Sequence, residues 1–116
     1  MNDHNFSYWR KVLWQLDTYP EIRKYCDGAA FHYYDGSPED IDNVRLKYPE
    51  LEYHFTEGGP RLYDNYATDW CKWGIVISKA LKHGCTTFTG WNLMLDEVGG
   101  PNIGPFFCGG LVTRNS

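Results

Sequence analysis

The chain has 116 residues, of which 42% are apolar, and a formal net charge of −4. This length suffices for the core of one ordinary domain, and no apolar run approaches the roughly 20 residues that span a bilayer, which excludes a transmembrane segment. The basic residues are dispersed, which disfavours nucleic acid or an anionic membrane as a partner. The start lacks the basic and apolar regions of a signal peptide, but a leader would lie upstream of an internal Met1, so the localisation stays open.

The cysteines lie far apart in the sequence, with no close pair of the kind that zinc ribbons and thioredoxin-like motifs need. Four reduced, mostly buried thiols are expected, with one disulfide pair as the alternative. Neither a metal nor a cofactor is predicted. The four are Cys26, Cys71, Cys85 and Cys108.

Aromatic residues are in excess, with five Trp, nine Tyr and six Phe. Rings at a strand end can stack on the apolar face of a sugar, but a ring in a chain of this size is more often part of the core. Both interpretations stay open for each aromatic residue.

The first predicted element is a helix from about Ser7 to Leu16, with Ser7 as its cap and an end near Pro20. A strand buried on both faces is predicted over Gly28 to Tyr34, because that run is continuously apolar and begins with small residues. Ser37 to Asp40 supplies a cap, a proline and first-turn acids for a short helix that Pro49 stops.

The second strand is predicted over Leu51 to Thr56. The longest helix runs from about Thr68 to His83 with Gly84 as its left-handed stop, and Trp70 and Trp73 are assigned to its packed face. Thr86 to Trp91 is the third strand. The Gly- and Pro-rich tail from Gly99, including Gly104-Pro105, is predicted to be a long loop.

This alternation of helices and strands predicts an α/β fold with a parallel sheet and right-handed crossovers. A closed (β/α)8 TIM barrel needs on the order of 250 residues, so residues 1–116 would supply about three of its eight units and the preceding helix. The expected architecture is therefore an arc of a barrel.

Polar and aromatic residues end each predicted strand. Glu57 follows the second strand directly and is succeeded by Gly58 and Gly59, His32 and Tyr34 end the first strand, and Trp91 and Asn92 end the third. Because functional groups concentrate at the carboxyl ends of parallel strands, Glu57 is the first candidate for chemistry, and the set suits a polyhydroxylated ligand. The alternatives are a surface carboxylate for Glu57, ordinary packing for Tyr34 and a satisfied core histidine for His32.

Six blocks of the chain together resemble family 30 of the glycoside hydrolases, which includes the glucosylceramidases. They follow the order and spacing of barrel units from the end of strand five to just past strand eight. The blocks are Asp3-His4-Asn5, Trp14-Gln15-Leu16-Asp17, Gly28-Ala29-Ala30-Phe31-His32-Tyr33-Tyr34, Thr56-Glu57-Gly58-Gly59, Trp91-Asn92-Leu93-Met94-Leu95-Asp96 and Gly99-Gly100-Pro101-Asn102.

The resemblance implies a (β/α)8 barrel with an additional β-sandwich domain in the parent protein, and a retaining mechanism on β-glycosides. It implies that Glu57 is the nucleophile, that Tyr34 lies beside it, and that Trp91 forms the floor of the sugar subsite. His32 and Asn92 match positions that line the same pocket. Asp3 matches an acidic position near the end of strand five, and this is a weaker correspondence.

The sequence departs from the family pattern in one important respect. Retaining hydrolysis needs two carboxyls about 5–5.5 Å apart, and the family's acid/base glutamate follows an asparagine at the end of strand four. No Asn-Glu pair occurs in this chain. Strands one to four, the eighth helix and the sandwich domain are also unmatched, so the isolated chain is expected to be inactive.

Two functions follow from these observations. The first is a part of a retaining β-glycosidase that acts on a carbohydrate or glycolipid, such as glucosylceramide, another β-glucoside or a β-glucan. The alternative is a non-catalytic barrel remnant that binds sugar weakly at most.

Overall fold

A computed structural model of the chain describes residues 1–101, 104 and 107–115. Four parallel strands form the main sheet, in the order of the chain. They are β1 (Asn2–Asn5), β2 (Gly28–His32), β3 (Glu52–Glu57) and β4 (Cys85–Phe88). The α/β fold with a parallel sheet is thus confirmed, with four strands where the sequence predicts three.

Helices connect the successive strands. The α-helices are α1 (Trp9–Thr18), α2 (Ile41–Arg45) and α3 (Tyr66–Lys82), and 3-10 turns occupy Phe6–Tyr8, Pro20–Lys24 and Pro38–Asp40. Within the described residues, no helix is both long and apolar enough to cross a membrane.

Two of the predicted helix boundaries hold, the start at Ser37 and the stop at Gly84. Ser37 and Asp40 form a capping box around Pro38, and this turn continues into α2. Gly84 has a φ of +100°, just past the C-cap of α3, as expected of a left-handed stop. The N-cap of α3 is Asn65, whose side chain accepts from the backbone N–H of Ala67.

The start of α1 differs from its prediction. A 3-10 turn precedes the helix, and its first residue, Phe6, is only 1% exposed. Ser7 lies inside that turn, and its hydroxyl is buried without a hydrogen-bond partner instead of capping α1. With Phe6 buried in the core, α1 begins at Trp9, two residues later than predicted.

One core holds the helices against one face of the sheet. Val12 and Leu16 of α1, Ile41 and Val44 of α2 and Ala80 of α3 are at most 1% exposed. They belong to the same cluster as the sheet residues Ala29, Phe31, Tyr53, Phe55 and Cys85. The helices therefore cover a single face of the sheet.

The prediction that β2 is buried on both faces is wrong. Ala29 and Phe31 are buried, but Gly28, Ala30 and His32 between and beside them are only partly buried. The alternation arises because neighbouring side chains of a strand point to opposite faces, and the helices cover only one.

The tail is more ordered than predicted. After β4, the strands β5 (Met94–Asp96) and β6 (Val112–Arg114) form a parallel pair. An antiparallel bridge also joins Arg61 to Cys108. Asn102 of the last matched block and Pro105 of the predicted loop lie outside the described residues.

Candidate functional site

The carboxyl ends of β1, β2 and β3 meet at one edge of the sheet. In the register of the sheet, His32 pairs with Asn5 on one side and with Glu57 on the other. Three elements that are distant in sequence thus place their terminal side chains together. This edge is the candidate active site.

Glu57 is the last residue of β3, and its side chain is 28% exposed. Tyr34 lies beside this residue: the N–H of its neighbour Tyr33 donates to the Glu57 carbonyl at 3.1 Å, and the Tyr34 ring centroid is 6.3 Å from that of His32. Burial, followed by the negative charge of Glu57, raises the pKa of the Tyr34 phenol well above its ordinary value. The phenol is therefore protonated at neutral pH and keeps a proton available for donation to the carboxylate.

His32 lies between two carboxylates. Its Nε2 is 3.0 Å from Oδ1 of Asp3, and its Nδ1 is 3.9 Å from Oε2 of Glu57, which exceeds hydrogen-bond distance. The imidazole is 14% exposed. Instead of being a histidine confined to the core, His32 faces the candidate nucleophile.

Asp3 is held by two donors. Its Oδ1 accepts from the hydroxyl of Thr56 at 2.8 Å and lies beside Nε2 of His32. The hydrogen bond from Thr56, and then that from His32, lowers the pKa of the Asp3 carboxyl. Since an ionised carboxylate only accepts, Nε2 of His32 carries the proton of this contact.

Trp91 and Asn92 reach this edge through the backbone. The N–H of Trp91 donates to the carbonyl of Gly58 at 2.9 Å, and the Trp91–Asn92 peptide is cis. A Cβ on Gly59 would lie 1.4 Å from the Trp91 carbonyl oxygen, so the two segments touch only because residue 59 is glycine. This close approach explains why residue 59 is glycine.

A groove of about 610 Å³ runs beside the site, along α3. Trp91, Asn92 and Gly58 line it together with Trp70 and Trp73, whereas Glu57 and Tyr34 do not. The structure therefore brings together Glu57, Tyr34, His32 and Asp3, and places the Trp91 and Asn92 side chains on the adjoining groove.

The prediction for α3 holds for one of its two tryptophans. Trp73 contacts the ring of Tyr33, with a centroid distance of 5.0 Å. Trp70 is 81% exposed and lies on the wall of the groove, so its assignment to the packed face is wrong.

The cysteines of the structure are all free thiols. Cys85 is buried, Cys26 and Cys108 are partly buried, and Cys71 is exposed. Burial raises the pKa of the Cys85 thiol to about 12, which keeps it protonated and unreactive.

Two residues of the site have no counterpart among the sequence predictions. Thr56 donates to Asp3, and Arg61 lies over the ring of Tyr34, with 4.9 Å from Cζ to the centroid. Thr56 belongs to a matched block, and its place one residue before Glu57 could have indicated that it lies in the site. Arg61 stands in an irregular polar loop, where no periodicity indicates what it contacts.

The whole chain was compared with known proteins. No family model matches. The chain is 34% identical, over 92 residues, to a protein of Caenorhabditis elegans named "Putative glucosylceramidase 3". This alignment covers 72% of the chain and 18% of that relative.

Two solved structures resemble the fold. The endo-β1,6-glucanase BT3312 has a TM-score of 0.84 and 29% identity, and the match covers 97% of this chain and 27% of that one. SrfJ from Salmonella typhimurium has a TM-score of 0.86 and 24% identity over 97% of this chain and 26% of that one, which supports the fold alone. The chain thus spans about a quarter, or less, of the proteins that it matches.

Proposed function

Because the chain belongs to the glucosylceramidase-like glycoside hydrolases of family 30, as its motifs predict, we propose that it carries the nucleophile of a retaining β-glycosidase. Glu57 is that nucleophile. The observation that supports this assignment is its position: a carboxylate at the carboxyl end of a parallel strand lies beside the phenol of Tyr34, whose pKa its charge raises, and faces His32.

The roles of the other residues follow from the same geometry. Tyr34 keeps the carboxylate ionised and oriented, and Asp3 and Thr56 fix the imidazole of His32 at the edge of the pocket. We assign sugar contacts to Tyr34, His32, Asp3 and Asn92. We assign stacking on a sugar face to Trp91, a residue that is 48% exposed.

In the proposed reaction, a carboxylate oxygen of Glu57 bonds to the anomeric carbon and the glycosidic C–O bond breaks. A proton from an acid/base residue goes to the leaving oxygen, and water then hydrolyses the glycosyl ester with help from the same residue. The chain has no Asn-Glu pair, so we propose that this residue lies outside the 116 residues.

The parent architecture is part of the proposal. We take β1 to β4 as strands five to eight of a (β/α)8 barrel, with strands one to four and a β-sandwich domain outside this chain. The support is the parallel order of the sheet and the TM-scores above 0.8. The substrate class is a β-glucoside, glucosylceramide or a β-glucan, in keeping with the names of the relatives.

A reagent with a good leaving group tests the nucleophile separately from the acid/base. With 2-deoxy-2-fluoro-β-glucosyl fluoride, an oxygen of Glu57 bonds to the anomeric carbon while fluoride departs with the electron pair of the C–F bond, so no proton donor is required. The protein that contains these residues should gain one fluoroglucosyl group, and peptide mapping by mass spectrometry should place it on Glu57.

Glu57→Gln should abolish both this labelling and the hydrolysis of an aryl β-glucoside. Glu52→Gln is the matched control, because Glu52 begins the same strand and is exposed. Labelling of the Glu57→Gln protein, or unchanged hydrolysis, would remove Glu57 from the mechanism.

The second candidate function is weak sugar binding without catalysis by the 116 residues alone. The missing Asn-Glu pair favours it, since losing general acid catalysis costs typically 10²–10⁴ in rate. In that case the isolated chain would melt cooperatively at a higher temperature with a glucose-type ligand, but would not turn over an aryl β-glucoside. Turnover by the isolated chain would contradict this candidate.

A further inference from the structure

We propose that Arg61 is a positioning residue for the nucleophile: its guanidinium holds the ring of Tyr34 so that the Tyr34 hydroxyl points at Glu57. The inference rests on the proposed function and extends it to a residue outside the matched blocks. It is carried by one contact to Tyr34 and by two independent sets of contacts that immobilise Arg61.

The first observation is the contact itself. Cζ of Arg61 lies 4.9 Å from the centroid of the Tyr34 ring, within the distance at which a cation is attracted to an aromatic face. The Tyr34 ring also lies 6.3 Å from that of His32, whose Nδ1 is 3.9 Å from Oε2 of Glu57, and the charge of Glu57 raises the pKa of the phenol. Tyr34 thus has the Arg61 cation against its ring and the Glu57 carboxylate nearby.

The electrostatics of Tyr34 agree with this arrangement. Burial and the charge of Glu57 raise the pKa of the phenol, and the positive charge of Arg61 opposes them. Arg61 therefore makes Tyr34 a stronger hydrogen-bond donor to Glu57 without removing its proton.

The second observation is the turn that carries Arg61. Its N–H donates to Oδ2 of Asp64 at 2.8 Å, and the N–H of Asp64 donates to the Arg61 carbonyl at 3.0 Å. Oδ2 of Asp64 also lies 3.5 Å from Nζ of Lys72 on α3. The turn is thereby closed on itself and tied to the helix behind it.

The third observation is the tail of the chain, which pairs with the same loop from the other side. Arg61 and Cys108 form an antiparallel bridge, the N–H of Gly109 donates to Pro60 at 2.8 Å, and that of Leu62 donates to Phe107 at 2.9 Å. Arg61 is thus clamped between α3 and the tail. A side chain on so constrained a backbone can orient a neighbour at little entropic cost.

A double-mutant cycle in the protein that contains these residues tests the inference. Arg61→Met should slow the maximal rate of Glu57 labelling about threefold to thirtyfold, the range expected for a lost cation–π contact, at an unchanged half-saturating reagent concentration. Arg61→Lys, which keeps the charge, should restore most of the rate. In a Tyr34→Phe background, Arg61→Met should have no further effect, because the hydroxyl through which Arg61 acts is gone.

Arg10→Met is the matched control. Cζ of Arg10 lies 4.2 Å from the ring of Trp9 on α1, so the substitution removes the same kind of contact away from the site. It should leave the labelling rate unchanged. A second readout, the NMR shifts of the Tyr34 ring protons, should move in Arg61→Met and stay in place in Arg10→Met.

Several outcomes would overturn the inference. Equal slowing by Arg61→Met in both backgrounds would make Arg61 a direct sugar contact, and a normal rate in Arg61→Met would deny it any role. If Arg61→Met and Arg61→Gln both fail to fold, Arg61 is a structural residue and the inference is wrong. Absence of labelling in the unsubstituted protein is distinguishable, because it overturns the proposed function and this inference with it.

Discussion

On the helix-covered face of the sheet, Phe31, Tyr53 and Phe55 are at most 2% exposed, whereas His32 and Thr56 on the opposite face keep partial exposure. Both sets alternate along the same two strands. The covered face is apolar and closely packed, and the open face carries hydroxyls, imidazoles and a carboxylate. The difference shows that one pair of strands can provide stability with one set of side chains and chemistry with the other.

The largest expected effect tests the covered face. Phe55→Ala should lower the free energy of unfolding by about 3–5 kcal/mol, because a fully buried ring is replaced by a cavity. Phe55 is 0% exposed and stacks on Phe88 at a centroid distance of 3.9 Å. Urea denaturation at neutral pH measures the change.

His54→Ala is the control for that prediction on the open face. It removes a hydrogen bond of 3.0 Å to Thr87 and should cost about 1 kcal/mol or less. Equal losses from the two substitutions would mean that the faces do not differ in their contribution to stability.

The next effect tests the open face. Tyr34→Phe removes the hydroxyl that we propose as the donor to Glu57. A hydrogen bond to a charged group contributes about 1.5–3 kcal/mol, so labelling of Glu57 should slow roughly tenfold to a hundredfold. Stability should change little. The rate of covalent modification and a thermal melt measure the two quantities.

Tyr63→Phe is the matched control, since Tyr63 lies in the loop between β3 and α3 and is 71% exposed. The rate of Glu57 labelling in Tyr63→Phe should equal that of the unsubstituted protein. A large loss of stability in Tyr34→Phe without any change in rate would assign Tyr34 to packing instead of chemistry.

The smallest effect concerns an ion pair between the helical elements themselves. Nζ of Lys79 on α3 lies 2.6 Å from Oε1 of Glu39, and this hydrogen bond lowers the pKa of Glu39 to about 2. A carboxylate with a depressed folded-state pKa stabilises the fold above the ordinary value of 4.5, and that contribution is lost as the pH falls from there towards 2.

Glu39→Gln should therefore weaken the loss of stability in acid. Since both side chains are more than 40% exposed, solvent screening limits the effect to less than about 1 kcal/mol. Unfolding free energies between about pH 6 and 3 measure it. Lys79→Met should change the pH dependence in the same way, and a steeper acid transition in either variant would contradict the prediction.

Part of the fold could be read from local patterns. Ser37, Pro38 and Asp40 mark a helix start through capping chemistry, and Gly84 marks a helix end through its positive φ, because both signals act within one turn of the chain. Strand β1 was missed for the opposite reason. Its residues 2–5 are all polar, and the strand exists through pairing with β2.

The sequence by itself determined the alternation of helices and strands from α1 to β4, the family, and the position of Glu57 at the end of a strand. Periodicity, capping residues and motif order are properties of neighbouring residues, so they can be read without coordinates. Whether Glu57 acts as the nucleophile stays a prediction for the labelling experiment.

Only the tertiary structure decided which side chains meet. Thr56 and Asp3 are 53 positions apart, yet their side chains are in hydrogen-bond contact, and Arg61 reaches Tyr34 from an irregular loop. It also decided that the helices cover one face of β2 and leave the other open. The physical reason is that such contacts depend on strand pairing and loop anchoring between distant segments, which no local pattern encodes.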